Sequence, residues 1–535
     1  MKCYIGIDVG TGSARAGIFD ENGNLLFKKA KKITTWEYEE VYREQSSDEI
    51  WENICEVVRE IVAQSKVDKK DIKGIGFDAT CSLVALDENG DPVSLSKSLD
   101  NSRNVILWMD HRAEKETEFI NKTHDKILDY VGGSISIEME IPKILWVKNN
   151  LYEQYKKISY YFDLPDFLVY KATGEFVRSM CSLSCKWTYL SYEGKWDEGF
   201  FKKINLDDLL DNDFQKIGSD IRKVGEKAGT LSEKAAKELG LEAGVSVAVS
   251  MIDAHAGAVG VLGIDLEEKE QLNKRIALIA GTSNCHMAVS QEKRFVKGVW
   301  GPYYSALFPD VWLNEGGQST AGALIDYVVE NHSYYNELKK MSLERGENHF
   351  EILNDFLYEN VEVVDYAACD LHYLPYFLGN RSPRSDHTLR GSVVGLTLDN
   401  SISDLAKKYL AVIQSIAYGT KHIIDELNKK GYEIDEIYLT GGAVNNKLML
   451  EQYSNITKCK IVVPKEKESV LLGAAILGAL SDSEDDFFTL MNKMSGKGFE
   501  VLPNEETFLY HGKKYKVFEK MYEDFMGYRE IMGDK

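Results

Sequence analysis

The chain has 535 residues, with 64 Lys and Arg against 85 Asp and Glu, a formal net charge of −21. Such an acidic balance argues against nonspecific attraction to nucleic acid or anionic membrane, and leaves room for a local basic pocket around a phosphorylated ligand. A hydrophobic fraction of 44% with only 9 Pro excludes a disordered chain, and eight scattered Cys without a CxxC repeat point to a reducing compartment and no zinc knot.

The opening MKCYIGIDVG lacks a basic segment leading into a long apolar core, and no stretch approaches about 18 charge-free apolar residues, so a soluble, cytoplasmic chain is expected. Residues 3–9 read as a strand, followed by a Gly/Thr/Ser turn, a second strand over 14–19, a turn at 20–23 and a third strand over 25–33. Lys28, Lys29, Lys31 and Lys32 on that third strand form a solvated face. Ser46 or Ser47 caps a helix over 47–62, and strands follow at 72–77 and 83–86. Residues 113–128 have helical spacing, and 140–148 form a helix whose first turn accepts Pro142. A strand over 245–250 ends at Asp253, ahead of a small-residue helix over 256–262.

A second unit begins after the charged stretch 265–274. Its strand 275–280, turn Gly281-Thr282-Ser283-Asn284 and strand 286–290 repeat the arrangement of residues 4–19. The expected division is therefore 1–264 and 265–535, two α/β units facing one another. Helices over 403–427 and 469–480 flank a strand at 436–439, which enters Thr440-Gly441-Gly442-Ala443, and the tail from Thr507 is helical.

Asp8 stands at a strand end beside a turn, Gly10-Thr11-Gly12-Ser13, whose backbone N–H groups and hydroxyls suit an anion; a carboxylate there suits hydrated magnesium. An ordinary hairpin turn explains the same residues. Gly281-Thr282 and Gly441-Gly442 with Asn445 give two further turns, and three such turns suit a nucleotide held between two lobes. No GxxxxGK[ST] string occurs, which excludes a P-loop kinase. Asp253 is placed to accept a hydroxyl proton in phosphoryl transfer, or to cap a helix. His255 reads as a packing histidine. Asp110, Lys186 and Glu315 are polar groups able to read sugar hydroxyls, with surface or capping roles equally open. Cys181 and Cys185 supply too few ligands for a metal site and are expected to be buried.

Taken together, these strings resemble the FGGY family of carbohydrate kinases along almost the whole chain, from YIGIDVGT at 4–11 to GSVVGL at 391–396 and the helices beyond. The closest resemblance is to the D-ribulose kinase subgroup, through GFDATCSLV (76–84), LWMDHRA (107–113), MEIPK (139–143), CSLSCKWTY (181–189), SMIDAHAG (250–257), GTSNCHMAV (281–289) and WLNEGGQSTAG (312–322). The resemblance implies two actin-like, ribonuclease-H-like domains with ATP and sugar in the cleft between them. It implies Mg2+ at Asp8, phosphates against Gly10, Thr11, Gly12, Ser13, Gly281 and Thr282, and adenosine against Gly441, Gly442 and Asn445. Asp253 would be the catalytic base, and Ala79, Asp110, Lys186, Asp253 and Glu315 the sugar contacts. The implied product is D-ribulose 5-phosphate, with L-ribulose, D-xylulose or ribitol as alternative acceptors. An actin-like ATPase acting on a protein partner, or a weakly catalytic sugar sensor, would use the same cleft. The partner is a small-molecule sugar, with neither nucleic acid nor membrane, and composition leaves a homodimer open. The cleft is expected to be open without ligand and to close on both substrates.

Overall fold

The computed structural model describes residues 1–533. Strand Cys3–Val9 is buried along its whole length, as expected for a strand covered on both faces. It pairs antiparallel with Ser13–Asp20, which pairs antiparallel with Leu25–Lys32, and parallel with Ile72–Ala79 on its other side. Ser246–Ala248 and Met251–Ile252 extend this sheet parallel to Ile72–Ala79, and Lys227–Thr230 closes its edge antiparallel.

The second sheet repeats the plan. Arg275–Ala280 pairs antiparallel with Asn284–Ser290 and parallel with Glu436–Gly441, which is followed by parallel Lys460–Pro464 and an antiparallel edge, Lys497–Val501. Trp312–Gln318 takes the place of the third strand. Both lobes thus run a three-strand meander into a parallel half-sheet, and both place their turns at the same end of equivalent strands.

Local chemistry explains the elements. Helix Ser47–Ser65 starts where the Ser46 hydroxyl accepts from the Glu49 N–H at 3.3 Å, buries Ile50, Ile54, Val58 and Ile61 on one stripe, and stops at Lys66 in the left-handed region. The helix expected over 113–128 is shorter, Glu114–Asn121. The Thr123 hydroxyl binds the Ile120 carbonyl at 2.6 Å, His124 has φ 47°, and Asp125 caps a separate 3-10 turn, Lys126–Tyr130. The lysine face of the third strand is exposed as expected, with Lys29 and Lys31 paired to Glu60 and Glu56 of the neighbouring helix.

Two helices join the lobes. Asp253–Leu262 leaves the first sheet and packs Gly257 against Ile279 of the second. Ser469–Asp482, from the C-terminal part of the chain, lies on the first sheet. A Cβ at Gly76 would overlap the carbonyl oxygen of Ala474, and one at Gly473 would overlap that of Ala256. Each helix therefore covers the other lobe, at a backbone separation that only glycine allows.

Candidate active site

Strand register assembles the first part of the site. Asp8 and Asp78 are direct partners on adjacent parallel strands, and Met251 pairs with Asp78, so Asp253 follows immediately at the same sheet edge. Three carboxylates from three strand ends converge. Asp8 and Asp78 are completely buried. Arg15, opposite Asp8 in the hairpin, forms an ion pair with it and lies 3.8 Å from Glu468 of the other lobe. Burial raises Asp8 above its ordinary value against the pull of Arg15. Asp78 is held well above the carboxylate range by burial and then by Asp8. Asp253 is raised to about 6 by burial and by Asp8, with the Ala254 N–H, 2.7 Å from Oδ1, opposing the shift.

Asp253 is the first residue of its helix, whose N-cap position is Ile252, and its Oδ1 accepts from the adjacent Ala254 N–H. Asp78, which the sequence reading passed over inside its GFDAT string, is the third member of the cluster, and only the strand register brings it to Asp8. Among the described residues, no N–H or hydroxyl group donates to Asp78, and Asp8 is met only by Arg15 and by the facing carboxyl of Asp78. Buried carboxylate oxygens without donors are the chemistry that a hard divalent cation such as Mg2+ requires, so the residues present fit that ion.

The turns lie around this cluster. Gly10 N–H donates to the Ser13 carbonyl at 3.1 Å, and Gly281 N–H donates to that of Ser283 at 3.0 Å, the same turn in each lobe. Space around Gly12 is open, whereas Thr11 is fixed by Trp108 Nε1 on its hydroxyl (3.0 Å) and Gln45 Nε2 on its carbonyl (2.8 Å). Gly441 pairs with Ala280, next to Gly281, so the second and third turns adjoin. Its φ of 93° and the nearby Ala280 carbonyl leave no room for a Cβ. Lys467 donates to Asn445 Oδ1 at 2.9 Å, and its neighbour Glu468 faces Arg15, which ties the Gly441–Asn445 turn to the Asp8 hairpin.

Further polar groups stand near Asp253. Lys186 ends helix Met180–Lys186, with Nζ 4.6 Å from the centre of the Trp300 ring. Burial opposes its charge, yet Glu315 on strand Trp312–Gln318 together with Cys81, Tyr303 and Cys185 outweighs that effect and holds the ammonium well above its ordinary value. Ala79 is buried at the end of its strand. Asp110 is placed differently from a free sugar ligand. Its oxygens accept from Arg112 N, Nε and Nη2 and from Arg43 N at 2.6–3.0 Å, which fills the capacity of a carboxylate. Two further groups absent from the sequence reading border this end. Arg381, from the second lobe, reaches Glu138 of the first at 3.0 Å. Lys143 and Glu140 are fully buried 3.5 Å apart, and burial lifts Glu140 to about 8.

With this geometry established, similarity to known proteins becomes informative. The sequence pattern of the FGGY family of carbohydrate kinases, N-terminal domain, matches residues 3–260, and that of the C-terminal domain matches 276–481. A human FGGY carbohydrate kinase domain-containing protein is 44% identical, over 100% of this chain and 98% of that one. A D-ribulokinase of Saccharomyces cerevisiae is 40% identical over 93% of this chain and 74% of its own length. Among solved structures, a ligand-bound xylulose kinase from Lactobacillus acidophilus superposes with a TM-score of 0.82 at 19% identity, covering both chains completely.

Proposed function

Because the chain belongs to the FGGY family of carbohydrate kinases, and is therefore a sugar kinase, we propose that it phosphorylates D-ribulose with ATP to give D-ribulose 5-phosphate. The observation that carries the chemistry is the meeting of Asp8, Asp78 and Asp253 at the C-terminal ends of adjacent strands in the first lobe, with the second lobe's adjoining glycine turns tied to the Asp8 hairpin through Lys467 and Glu468. The choice of sugar rests on the 40% identity to a D-ribulokinase, against 31% to the ribulokinases of two staphylococci.

In this reading residues 1–264 carry the sugar and the base, and 265–535 carry the nucleotide. Asp253 orients the terminal hydroxyl of the sugar and accepts its proton; a value near 6 leaves it ionised at neutral pH. Lys186 and Glu315 read the sugar hydroxyls, with Ala79 bounding the pocket. Asp110 contributes by holding Arg112. Backbone N–H groups of Gly10–Ser13 and of Gly281 and Thr282 bind phosphate oxygens, and Gly441, Gly442 and Asn445 bound the adenosine. Asp8 holds Mg2+, whose charge, when bound, offsets that of the phosphates. Arg15 orients Asp8 and opposes the rise that burial imposes on it.

No helix among the described residues is long and apolar enough to cross a membrane, and we take the chain to work in the cytoplasm on a small-molecule sugar. The test is ADP release from Mg-ATP across D-ribulose, L-ribulose, D-xylulose, ribitol, L-arabinitol and glycerol, with the phosphosugar identified by mass. A dominant response to D-ribulose is expected. Preference for another acceptor would overturn the substrate and keep the kinase chemistry, whereas absence of sugar-dependent turnover would favour a sensor or a protein partner.

A further inference from the structure

A second group of donor atoms lies beside the carboxylate cluster. Cys181 and Cys185 are one helical turn apart on Met180–Lys186, so their sulfurs share a face. That face meets His255, with Cys185 Sγ 3.6 Å from His255 Nε2. The two sulfurs and one ring nitrogen all lie within 4.8 Å of one another, and all three residues are buried. Glu315, from the opposite lobe, brings Oε2 to 3.8 Å from the same nitrogen. Among the described residues, that oxygen has no hydrogen-bond partner. The sequence reading found too few ligands around the cysteines because the other two lie about 70 and 130 residues downstream in the chain.

We propose that Cys181, Cys185, His255 and Glu315 form a four-ligand site for a thiophilic divalent cation of the zinc class, at the sugar end of the cleft. Two thiolates, an imidazole and a carboxylate are a donor set for tetrahedral zinc, whose ligand atoms stand about 3.3–3.8 Å apart at normal bond lengths. The Cys185–His255 separation of 3.6 Å falls in that range, and Glu315, 3.8 Å from His255 against about 3.3 Å for a nitrogen and an oxygen on one zinc, lies outside the grouping of the other three and completes the set by moving inward. Charge also balances. Two thiolates, one carboxylate and a dication leave a single negative charge, and Lys186, adjacent to Cys185 and attracted by Glu315, supplies the positive one. Without metal, burial keeps the Cys185 thiol protonated. Cation entry therefore displaces that proton to solvent. Sulfur and nitrogen donors select against Mg2+, so this site and the oxygen-only site at Asp8 take different ions. Ligation of Glu315 withdraws it from the sugar, so the cation inhibits turnover. That last consequence rests on the proposed sugar contact; the binding itself does not.

The experiment is a Co2+ titration of the chelator-stripped, full-length protein in Mg2+ buffer, with no sugar or nucleotide. Expected are one Co2+ per chain with sulfur-to-cobalt charge transfer in the near ultraviolet and tetrahedral bands in the visible, and displacement by Zn2+. Cys181→Ser and Cys185→Ser should each weaken binding by at least about 100-fold, the upper end of what loss of an outer-sphere partner costs. Cys369→Ser, at an exposed position, should leave the spectrum unchanged. Binding without a sulfur band, or a band that survives both Ser substitutions, would overturn the inference. If the variants do not fold, X-ray absorption on the wild-type Co2+ protein decides, because two sulfurs at the metal support the site and none refutes it. Loss of this site with sugar turnover intact would refute only this inference; an intact site in a protein that phosphorylates no sugar would refute only the kinase assignment to sugar.

Discussion

At Asp253 the proposed role and the local electrostatics make separable predictions. Asp253→Asn should reduce turnover by more than about tenfold, or about 1.4 kcal/mol, and leave ATP affinity measured by calorimetry nearly unchanged. Because the ionised form is the active one and burial with Asp8 raises Asp253 to about 6, kcat/KM should fall as pH drops through about 6. A cation at Asp8 cancels the repulsion, so raising Mg2+ should move that limb to lower pH. Asp78 tests the linkage between charge and stability. Its folded-state value lies well above its ordinary one, so the folded form binds the proton more tightly, and stability is lost as pH rises through the raised value. Asp78→Asn removes that loss. Without Mg2+, at alkaline pH, the variant should be more stable than wild type, measured by urea unfolding, while its affinity for Mg-ATP falls. Asp8 and Asp253 were legible in the sequence because each ends an apolar run at a turn. Asp78 carries the same mark, directly after the expected strand 72–77, but its pairing with Asp8 depends on strand register, and the saturation of Asp110 by Arg112 depends on a fork of hydrogen bonds that spacing does not reveal.

Among the elements, the best-read strands are those bounded by turns and buried on both faces. Residues 3–9 and 275–280 are strands over the expected bounds, since a short apolar run ending in Gly leaves little choice of length. Residues 113–128 were misjudged because helical spacing continues past Thr123 and His124, where side-chain and backbone bonding end the helix. The helix expected from 256 starts at Asp253, as Ala254 and His255 carry no breaker signal. Least legible was the exchange of helices between the lobes. Glycines in strands weaken a strand assignment by themselves, and Gly76 acquires its meaning only from the Ala474 carbonyl against it. Gly76→Val should therefore displace helix Ser469–Asp482 and cost about 1–3 kcal/mol, the usual range for overpacking, with the loss visible in thermal and urea melts.

For the molecule as a whole, the two lobes meet at opposite ends of the cleft. Arg15 and Lys28 approach Glu468 at the nucleotide end, and Arg381 reaches Glu138 at the sugar end, beside Trp300. Lobes that close over a sugar exclude water from the phosphoryl donor. Arg381→Ala should raise the sugar KM by about tenfold, near 1.4 kcal/mol, with the ATP KM little altered. Small-angle scattering should show wild type contracting when sugar and a nonhydrolysable ATP analogue are both present, and the variant contracting less. The exchanged helices carry one more consequence, for synthesis on the ribosome. The first sheet is threaded by residue 252, yet the helix that seals one of its faces ends at residue 482 of a 535-residue chain. A nascent polypeptide must therefore hold a half-covered apolar sheet while the next 230 residues, 253 to 482, are made. Separately expressed halves should aggregate when made alone and recover solubility when made together.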